Sequence, residues 1–560
     1  MGVHVQPVFP FRRPPELDGG GGRAAVAIVG AGPVGLVAAI DLAARGIDCV
    51  VLDDDDTVSV GSRAICYAKR TLEILDRLGC AQGVVDKGVQ WNVGRVFFRD
   101  APAYAFDLLA EPGHRRPAFV NLQQYHFETC LVDHARSLGV EPRWRNEVVG
   151  IAPRDDGVRL DVATPDGRYA LEADWVIAAD GARSPVRRMM GLDTEGHVFR
   201  DRFLIADIRM TQAFPAERWF WFDPPFHPGQ SVLLHRQADD VWRVDFQLGP
   251  DADPDEERKP ERIAPRIRAM LGDAVAWTLE WASVYTFRCQ RMARFRHGRV
   301  LFAGDAAHLV SPFGARGANS GMQDADNLAW KLARVVQGRS PAGLLDSYDT
   351  ERARAADENI LHSTRSTDFI SPKSRVSRVF RDAVLGLAKE HDFARRLVNS
   401  GRLSTPTVLC DSPLNTRDAA GAFEGEARGV PPGAPAVDAP VRGPRGAWLL
   451  DHLGGEFTLL AFGAVPADGV AALAGDGVAC VVVRTPTHER PPVAAVAVVG
   501  APAALVDDAE GLAARRYDAR HGTCFLIRPD QHVCARWRTL DVAAVRRALH
   551  RATAIPEETA

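Results

Sequence analysis

The sequence predicts an α/β chain in three parts: a parallel-stranded βαβ domain, a mixed antiparallel sheet inserted into it, and a compact C-terminal α/β module. Residues 26–53, VAIVGAGPVGLVAAIDLAARGIDCVVLD, read as apolar strand, glycine turn, helix and apolar strand. From Phe203 to Leu248 the chain runs through aromatic-rich strands, RWFWFDPPF, SVLLHRQ and VWRVDFQL, whose alternation gives one polar and one apolar face. Beyond a stretch dense in proline, glycine and alanine at 403–440, the runs EFTLLAFG, VACVVVR and CFLIRPDQHVCARWR lead to a helical VAAVRRALHR.

The first stretch places Gly30-x-Gly32-x-x-Gly35 between strand and helix, the dinucleotide-binding fingerprint of a Rossmann-like unit. Gly30 permits the turn, Gly32 lets the backbone approach a pyrophosphate, and Gly35 lets the helix pack on the strand. Pro33 suits the first helical turn, where a missing N–H costs nothing. The free N–H groups and the dipole at that helix start would hold the pyrophosphate. Asp53 closes the unit, where a carboxylate can accept ribose hydroxyls in a charge-assisted bond worth roughly 1.5–3 kcal/mol. The fingerprint alone leaves NAD(P) and FAD both open.

At 560 residues, 46% hydrophobic and 25% charged, the chain has room for about three domains and an ordinary globular composition. A net charge of −4 with interspersed signs gives no basic footprint for nucleic acid. The nine cysteines are scattered with no Cys-x-x-Cys, which points to free thiols in a reducing compartment and against a metal site. The Pro- and Gly-rich residues 1–23 read as an arm ordered on contact or as a disordered tail, not as a signal peptide. The uncharged runs 24–40 and 491–506 are too short to span a membrane, so a cytoplasmic protein is expected.

Along the chain, a helix is expected over Ala68–Leu78, with Arg63 in the loop before it. Residues 118–139 read as a strand and a helix whose first turns carry Gln124 and Glu128. Residues 157–178 read as a hairpin turning at Pro165-Asp166-Gly167. Its second strand stops at Asp180-Gly181, and Ser184-Pro185 look like a cap and first residue of a helix. A charged helix (255–272) and a strand (Glu280–Phe287) precede the strand Val300–Ala303, which ends on Gly304-Asp305; a long helix is expected from about Ser320 to Gln337.

Three motifs thus stand in chain order: Gly30-x-Gly32-x-x-Gly35, then Asp180-Gly181 with Arg183 and Ser184, then Gly304-Asp305-Ala306-Ala307-His308. Their order and spacing resemble those of the FAD-dependent aromatic hydroxylases, the single-component flavin monooxygenases of the p-hydroxybenzoate hydroxylase family. The likeness spans roughly residues 24–355 and takes in Pro312, Gly314-Ala315-Arg316-Gly317, Asn319, Gly321, Asp324 and the Asn327–Leu332 helix. The longer phenol-type group, which includes 3-(3-hydroxyphenyl)propionate hydroxylase, carries a thioredoxin-like C-terminal domain, and residues 441–556 resemble it. Without Cys-x-x-Cys, that domain is expected to serve structure or assembly.

The resemblance implies an FAD-binding domain with a helical extension (24–190 and 290–400), a substrate domain (191–289), a linker (401–440) and a thioredoxin-like domain (441–560); residues 97–118 are open to a share in the substrate domain. It assigns Asp305 to the ribityl hydroxyls, residues 314–319 with Pro312 and Asn319 to the flavin pyrimidine, and Arg63 and Gln124 to flavin contacts. Asp180, Gly181 and Arg183 fall in its NAD(P)H-and-pyrophosphate motif. Asp53 stands where the family commonly has Glu, and Ala353 where it commonly has Pro.

The implied reaction is hydroxylation of a phenolic or other electron-rich aromatic with NADPH or NADH as transient reductant and O2, through a flavin C4a-hydroperoxide. The partners are then a small aromatic molecule and O2, with no nucleic acid or membrane, and a homodimer is left open. Trp221, His235, Arg243, Gln247, Tyr285 and Phe313 are the substrate-pocket candidates, and His308 reads as a structural histidine beside Asp305. No acid or base is named. The competing readings are tailoring of a polycyclic or polyketide substrate, an NAD(P) dehydrogenase without flavin, and a non-catalytic binding protein.

Overall fold

The computed structural model describes residues 5–211, 214–399, 404–424, 429–463, 465–485 and 503–556. Most of the apolar run 491–506 lies outside the described residues. From Val5 on, the N-terminal arm is ordered by contact: Phe9 stacks on Trp144 at 4.5 Å and Arg143 donates to Glu16 at 2.9 Å.

β1 (Ala24–Val29), α1 (Pro33–Ala44) and β2 (Cys49–Leu52) form the βαβ unit. Next come β3 (Cys66–Ala68), α2 (Lys69–Arg77), α3 (Ala81–Lys87), β4 (Val89–Trp91), β5 (Val93–Phe98), β6 (Ala101–Asp107), β7 (Phe119–Asn121) and α4 (Gln124–Ser137). β8 (Glu147–Pro153), β9 (Val158–Thr164) and β10 (Gly167–Ala178) return the chain to the main sheet. α5 (Pro185–Met189) then starts on Ser184, whose hydroxyl accepts the Arg187 N–H at 2.9 Å as an N-cap.

The insertion supplies β11 (Glu195–Met210), β12 (Arg218–Phe222), β13 (Ser231–Arg236), β14 (Val241–Leu248), α6 (Pro254–Glu257), α7 (Pro260–Leu271) and β15 (Trp277–Arg291). The single helix expected over 255–272 is two, because Pro260 has no N–H to continue the ladder. The chain returns through β16 (Arg296–His297), β17 (Val300–Phe302), β18 (His308–Leu309), α8 (Gly317–Val336), α9 (Asp346–Ile370), α10 (Arg375–Ala388) and α11 (Asp392–Asn399). The inserted sheet has the order β18-β15-β11-β14-β13-β12-β5-β6, so residues 93–107 lie in it by pairing. Ile263 and Ile267 of α7 pack on its outer face.

The main sheet runs β16-β17-β10-β1-β2, with β17, β10, β1 and β2 parallel. Val29 sits in register with Ala178, and Ala178 with Phe302. The segments after β1, β10 and β17 therefore leave the sheet side by side at its carboxyl edge, where ligands of open α/β sheets bind. α1 is apolar nearly all round because it lies between this sheet and α8; its acid, Asp41, is buried against Arg45 and Arg77.

Residues 404–424 and 429–439 are packed as a strap: the Thr416 N–H donates to the Cys534 carbonyl at 2.8 Å, and Ala434, Ala436 and Ala439 are buried. The last module holds β19 (Pro440–Gly443), β20 (Gly446–Trp448), β21 (Thr458–Phe462), α12 (Ala467–Gly475), β22 (Ala479–Arg484), β23 (Ala503–Asp507), α13 (Leu512–Arg516), β24 (Cys524–Ile527), β25 (Val533–Trp537) and α14 (Val542–Ala552). Its sheet order is β20-β19-β23-β22-β21-β24-β25. Buried charge joins it to the first domain. Glu351 accepts from Arg528 at 2.6 and 3.1 Å and from Lys331 at 2.7 Å, all three fully buried. Among the described residues, no helix is long and apolar enough to cross a membrane.

Candidate cofactor and substrate site

The three turns at the carboxyl edge of the main sheet line one elongated cleft. Gly30 turns at φ +105°, and a Cβ there would lie 2.5 Å from the Ala179 carbonyl oxygen. A Cβ on Gly35 would lie 1.9 Å from the Gly30 oxygen, so Gly35 is the packing glycine behind the wall. Gly32 differs: nothing stands within 4 Å of where its Cβ would be, and with Pro33 it borders the cleft. The N-terminus of α1 thus presents its unpaired N–H groups to open space.

Asp53 accepts the Ala31 N–H at 2.5 Å and the Asp55 N–H at 2.9 Å at the end of β2. Burial pushes its carboxyl up to about 7. Ligand hydroxyls donating to it would restore the ionised form. Asp180 gives one oxygen to the Val186 N–H at 2.9 Å, while its Oδ1 is buried with no protein partner. Gly181 lies beside it on the cleft, and Arg183 stays at the surface. The residue that reaches inward is Arg187, which donates to the carbonyls of Ala306 at 2.5 Å and Ala182 at 3.0 Å and so lashes the second motif to the third.

Asp305 opens onto the cleft, yet the protein walls around it raise its pKa. Gly304 sits behind it, where a Cβ would press on Val34 at 2.8 Å. His308 is structural, but its partner is not Asp305: its Nε2 lies 2.6 Å from Asp324, in a fully buried pair. The facing wall carries Arg63 and, from Pro312 to Asn319, the approach to α8. Gln124 positions the Arg63 loop, accepting the Ala64 N–H at 3.0 Å and donating to Ser59 at 3.0 Å and Glu128 at 2.8 Å. Gly314, at φ +100°, lies a step behind this wall and Gly317 on it. Asn319 reaches the cleft with its amide already occupied, accepting from Ala68 and Thr71 and donating to Cys66 and Ala315 at 2.5–2.8 Å.

This arrangement fits FAD. Two helix N-termini face the cleft where a pyrophosphate and a flavin ring need donors, and Asp53 and Asp305 stand where hydroxyls need acceptors. Asp180 keeps an orphaned oxygen between them.

The inner face of the antiparallel sheet closes the far end with Phe203, Ile205, Leu233 and Phe287. Of the six pocket candidates, His235, Arg243, Tyr285 and Phe313 line the cleft. Trp221 does not: it stacks on Phe97 at 5.0 Å on the outer face, because the two-residue period of β12 turns Arg218 and Phe220 inward instead. Gln247 shares the inner face but lies beyond the cleft, holding the Ser231 N–H at 3.0 Å and the Ser371 hydroxyl at 2.7 Å. Sequence reasoning missed Arg218, Asp245 and Cys66, all on the cleft. Arg218 pairs directly with His235 across β12 and β13, so parity from His235 would have found it.

His235 stands between two of these, its Nδ1 4.0 Å from Cys66 Sγ and its Nε2 3.8 Å from Asp245. Burial, with Arg218 and Arg243 nearby, holds the imidazole well below its ordinary pKa, so it is neutral. Burial pushes the Cys66 thiol up to about 11, which removes it as a nucleophile. Burial also raises Asp245 to about 6, against the pull of Arg243.

A family model described as FAD binding domain matches residues 23–363. A flavin-dependent monooxygenase of Mycobacteroides abscessus is 33% identical over 352 residues, 59% of this chain and 71% of its own. A 3-(3-hydroxy-phenyl)propionate/3-hydroxycinnamic acid hydroxylase of Shigella sonnei is 30% identical over 454 residues, 80% of this chain and 79% of its own. The 6-methylpretetramide 4-monooxygenase of Streptomyces rimosus is 33% identical over 412 residues, 72% of each chain. Among solved structures, aklavinone-11 hydroxylase with FAD and aklavinone superposes with a TM-score of 0.75 at 25% identity, covering 96% of this chain and 100% of that one. The flavin-dependent monooxygenase PieE shares the fold, with a TM-score of 0.78 at 22% identity over 95% and 99% of the two chains. A flavin-free dehydrogenase would leave the Asp305 turn and the α8 approach without a purpose on the cleft they share with the first fingerprint. With three motifs on one cleft and these likenesses beside them, the chain belongs to the FAD binding domain family, that of the FAD-dependent aromatic hydroxylases.

Proposed function

We propose that this chain hydroxylates a phenolic or similarly electron-rich aromatic ring, with NADPH or NADH and O2 as co-substrates. The observation that carries the reading is a cleft shared end to end: its dinucleotide-binding turns open directly onto a chamber walled by Phe203, Leu233, Tyr285, Phe287 and Phe313. FAD, when bound, supplies the redox and oxygen-activating chemistry. Gly30–Val34 and Asp53 would hold its pyrophosphate and ribose, and Asp305 its ribityl chain. The positive end of α8 would stabilise negative charge on the reduced ring. The aromatic walls orient the substrate and keep water away. Likeness over nearly the whole chain to aklavinone-11 hydroxylase favours a second reading, a polycyclic substrate. The test is stopped-flow flavin reduction and product analysis against single-ring phenols and polycyclic phenols. Substrate-stimulated NAD(P)H oxidation with hydroxylated product supports the reading; a protein that cannot be loaded with FAD ends it.

The C-terminal module fits a thioredoxin-like arrangement, supported by the order β22-β21-β24-β25 with a parallel first pair and antiparallel later ones. Burial pushes its thiols Cys480, Cys524 and Cys534 to about 12, which suits a structural part in a reducing, cytoplasmic setting. A homodimer is supported by α10, which leaves Val376, Val379, Phe380 and Leu387 exposed along one stripe. Antiparallel pairing about a two-fold axis at Ala383 would set Phe380 over Gly386 and Val379 against Leu387.

A further inference from the structure

Arg218 and Asp245 present an unusual combination on the chamber wall. Arg218 enters from β12, and its side chain makes no hydrogen bond or ion pair among the described residues; its Nε is buried without a partner. Asp245 enters from β14, and its Oδ1 is likewise buried and unpartnered. The two feel each other's charge without forming an ion pair. A buried donor and a buried acceptor left open in this way are each without compensation for the water they have lost, and a ligand that satisfies both supplies it. The neighbouring charge is already committed: Arg243 is held by Asp207 at 2.9 and 3.1 Å. Every other side chain on this part of the wall is apolar, aromatic or neutral, His235 and Cys66 included.

We propose that Arg218 and Asp245 are the recognition and proton-accepting pair for the ring hydroxyl of the substrate: the phenolic O–H donates to Asp245 Oδ1 while its oxygen accepts from Arg218. This deepens the hydroxylase reading and rests on it. One group fits both partners. A carboxylate could accept from Arg218 but would face the Asp245 charge, whereas a phenol or enol donates to one and accepts from the other. In the step itself the O–H bond breaks, its proton passes to Asp245 Oδ1, and the electron pair stays on the phenolate oxygen beside the Arg218 guanidinium. No oxidant is needed, and the proton returns when the product leaves. The groups facing Asp245 are Arg218 from β12, His235 from β13, Asp207 from β11, Cys66 from β3, and Arg243 on its own strand. The ionised ring is the electron-rich form that an electrophilic oxygen attacks, which places the pair in the chemistry as well as in binding.

The test uses the FAD-loaded enzyme and 4-nitrophenol, whose phenolate has its own visible band, in lightly buffered solution above about pH 6, where Asp245 is ionised, and below the probe's ionisation range. Difference spectra report the bound ionisation state, and a pH indicator reports proton release. The wild type should bind the phenolate form with no net proton release, because the proton stays on Asp245. Asp245→Asn should bind the same form while releasing about one proton per probe. Arg218→Gln should lower the bound probe's ionisation constant by roughly 10- to 1000-fold, and Arg218→Lys should restore part of it. Flavin absorbance of each variant shows separately whether FAD is held, so failure of the cofactor reading is visible on its own. A neutral bound probe in the wild type, equal proton release with and without Asp245, or no binding overturns the proposal.

Discussion

Arg243 grips Asp207 with two nitrogens, Nε at 2.9 Å and Nη2 at 3.1 Å from its carboxylate oxygens, while the same guanidinium donates to the backbone carbonyls of Ser62 and Arg63. The pair therefore ties the antiparallel sheet to the loop that carries Arg63 onto the cofactor cleft. Arg243→Lys keeps the charge but loses the fork that serves three acceptors at once. The expected result is an enzyme that still binds FAD but whose flavin is reduced roughly 10- to 100-fold more slowly, as a misplaced contact near a reacting group commonly costs. Stopped-flow absorbance measures this, and a wild-type reduction rate would refute the tie.

The glycines of the first turn should separate folding from binding. At Gly32 an added methyl points into open space, so Gly32→Ala should melt near the wild type while losing FAD to the methyl's bulk. At Gly35 the methyl would meet the Gly30 carbonyl at 1.9 Å, so Gly35→Ala should fail to give a stable apoprotein at all. Flavin content and thermal melts of the two variants check this.

Asp245 should show opposite faces in stability and in activity. Its folded pKa of about 6 lies above the ordinary 3.8, so its stabilising contribution is full below the ordinary value and is lost as pH rises through about 6. Asp245→Asn should therefore be the more stable protein above pH 6, by about 3 kcal/mol, with the difference vanishing in acid. In the wild type kcat/KM should fall as pH drops below about 6, because the base must be ionised, and the variant should lack that limb. Urea melts and a pH–rate profile with any turned-over phenol decide it.

Glu351 is the keystone of the buried ion network between domains. Against the burial that opposes it, Arg528 and Lys331 hold its carboxyl far below the usual range. Glu351→Gln leaves the buried Lys331 without its anion and Arg528 with Asp530 alone, a loss of about 3–5 kcal/mol. Thermal unfolding should shift down as one transition covering both domains. Two separate transitions in the wild type would show that the network does not couple them.

Phe380→Glu puts a charge in the middle of the exposed α10 stripe. The variant should run as a monomer in sedimentation at concentrations where the wild type pairs, with FAD content unchanged. A monomeric wild type removes the two-fold pairing.

The glycine fingerprint, the Ser184 cap and the Asp305 turn were legible because each is a local requirement of the backbone, written in residues that few alternatives can replace. Convergence of the three motifs followed from their each ending a strand of one parallel sheet. The substrate wall was harder to read. Trp221 and Arg218 lie three residues apart on β12 and face opposite ways, and aromatic content drew attention to the wrong face. Gln247 has the right parity but lies too far along β14. His308 is structural, and its partner Asp324 comes from a helix, which no strand pattern indicates. The break between α6 and α7 follows from Pro260, which cannot donate to the helical ladder.

α8 turns Gly317 and Ala318 toward the cofactor cleft, while Asn327 reaches Asp530 of the C-terminal module and Lys331 reaches Glu351, which Arg528 of that module also holds. A substitute module would have to bring counter-charges matched to Glu351, Asn327 and Lys331, as Arg528 and Asp530 are here. A charge change on the far side of α8 is therefore felt by a helix whose other end borders the cofactor cleft.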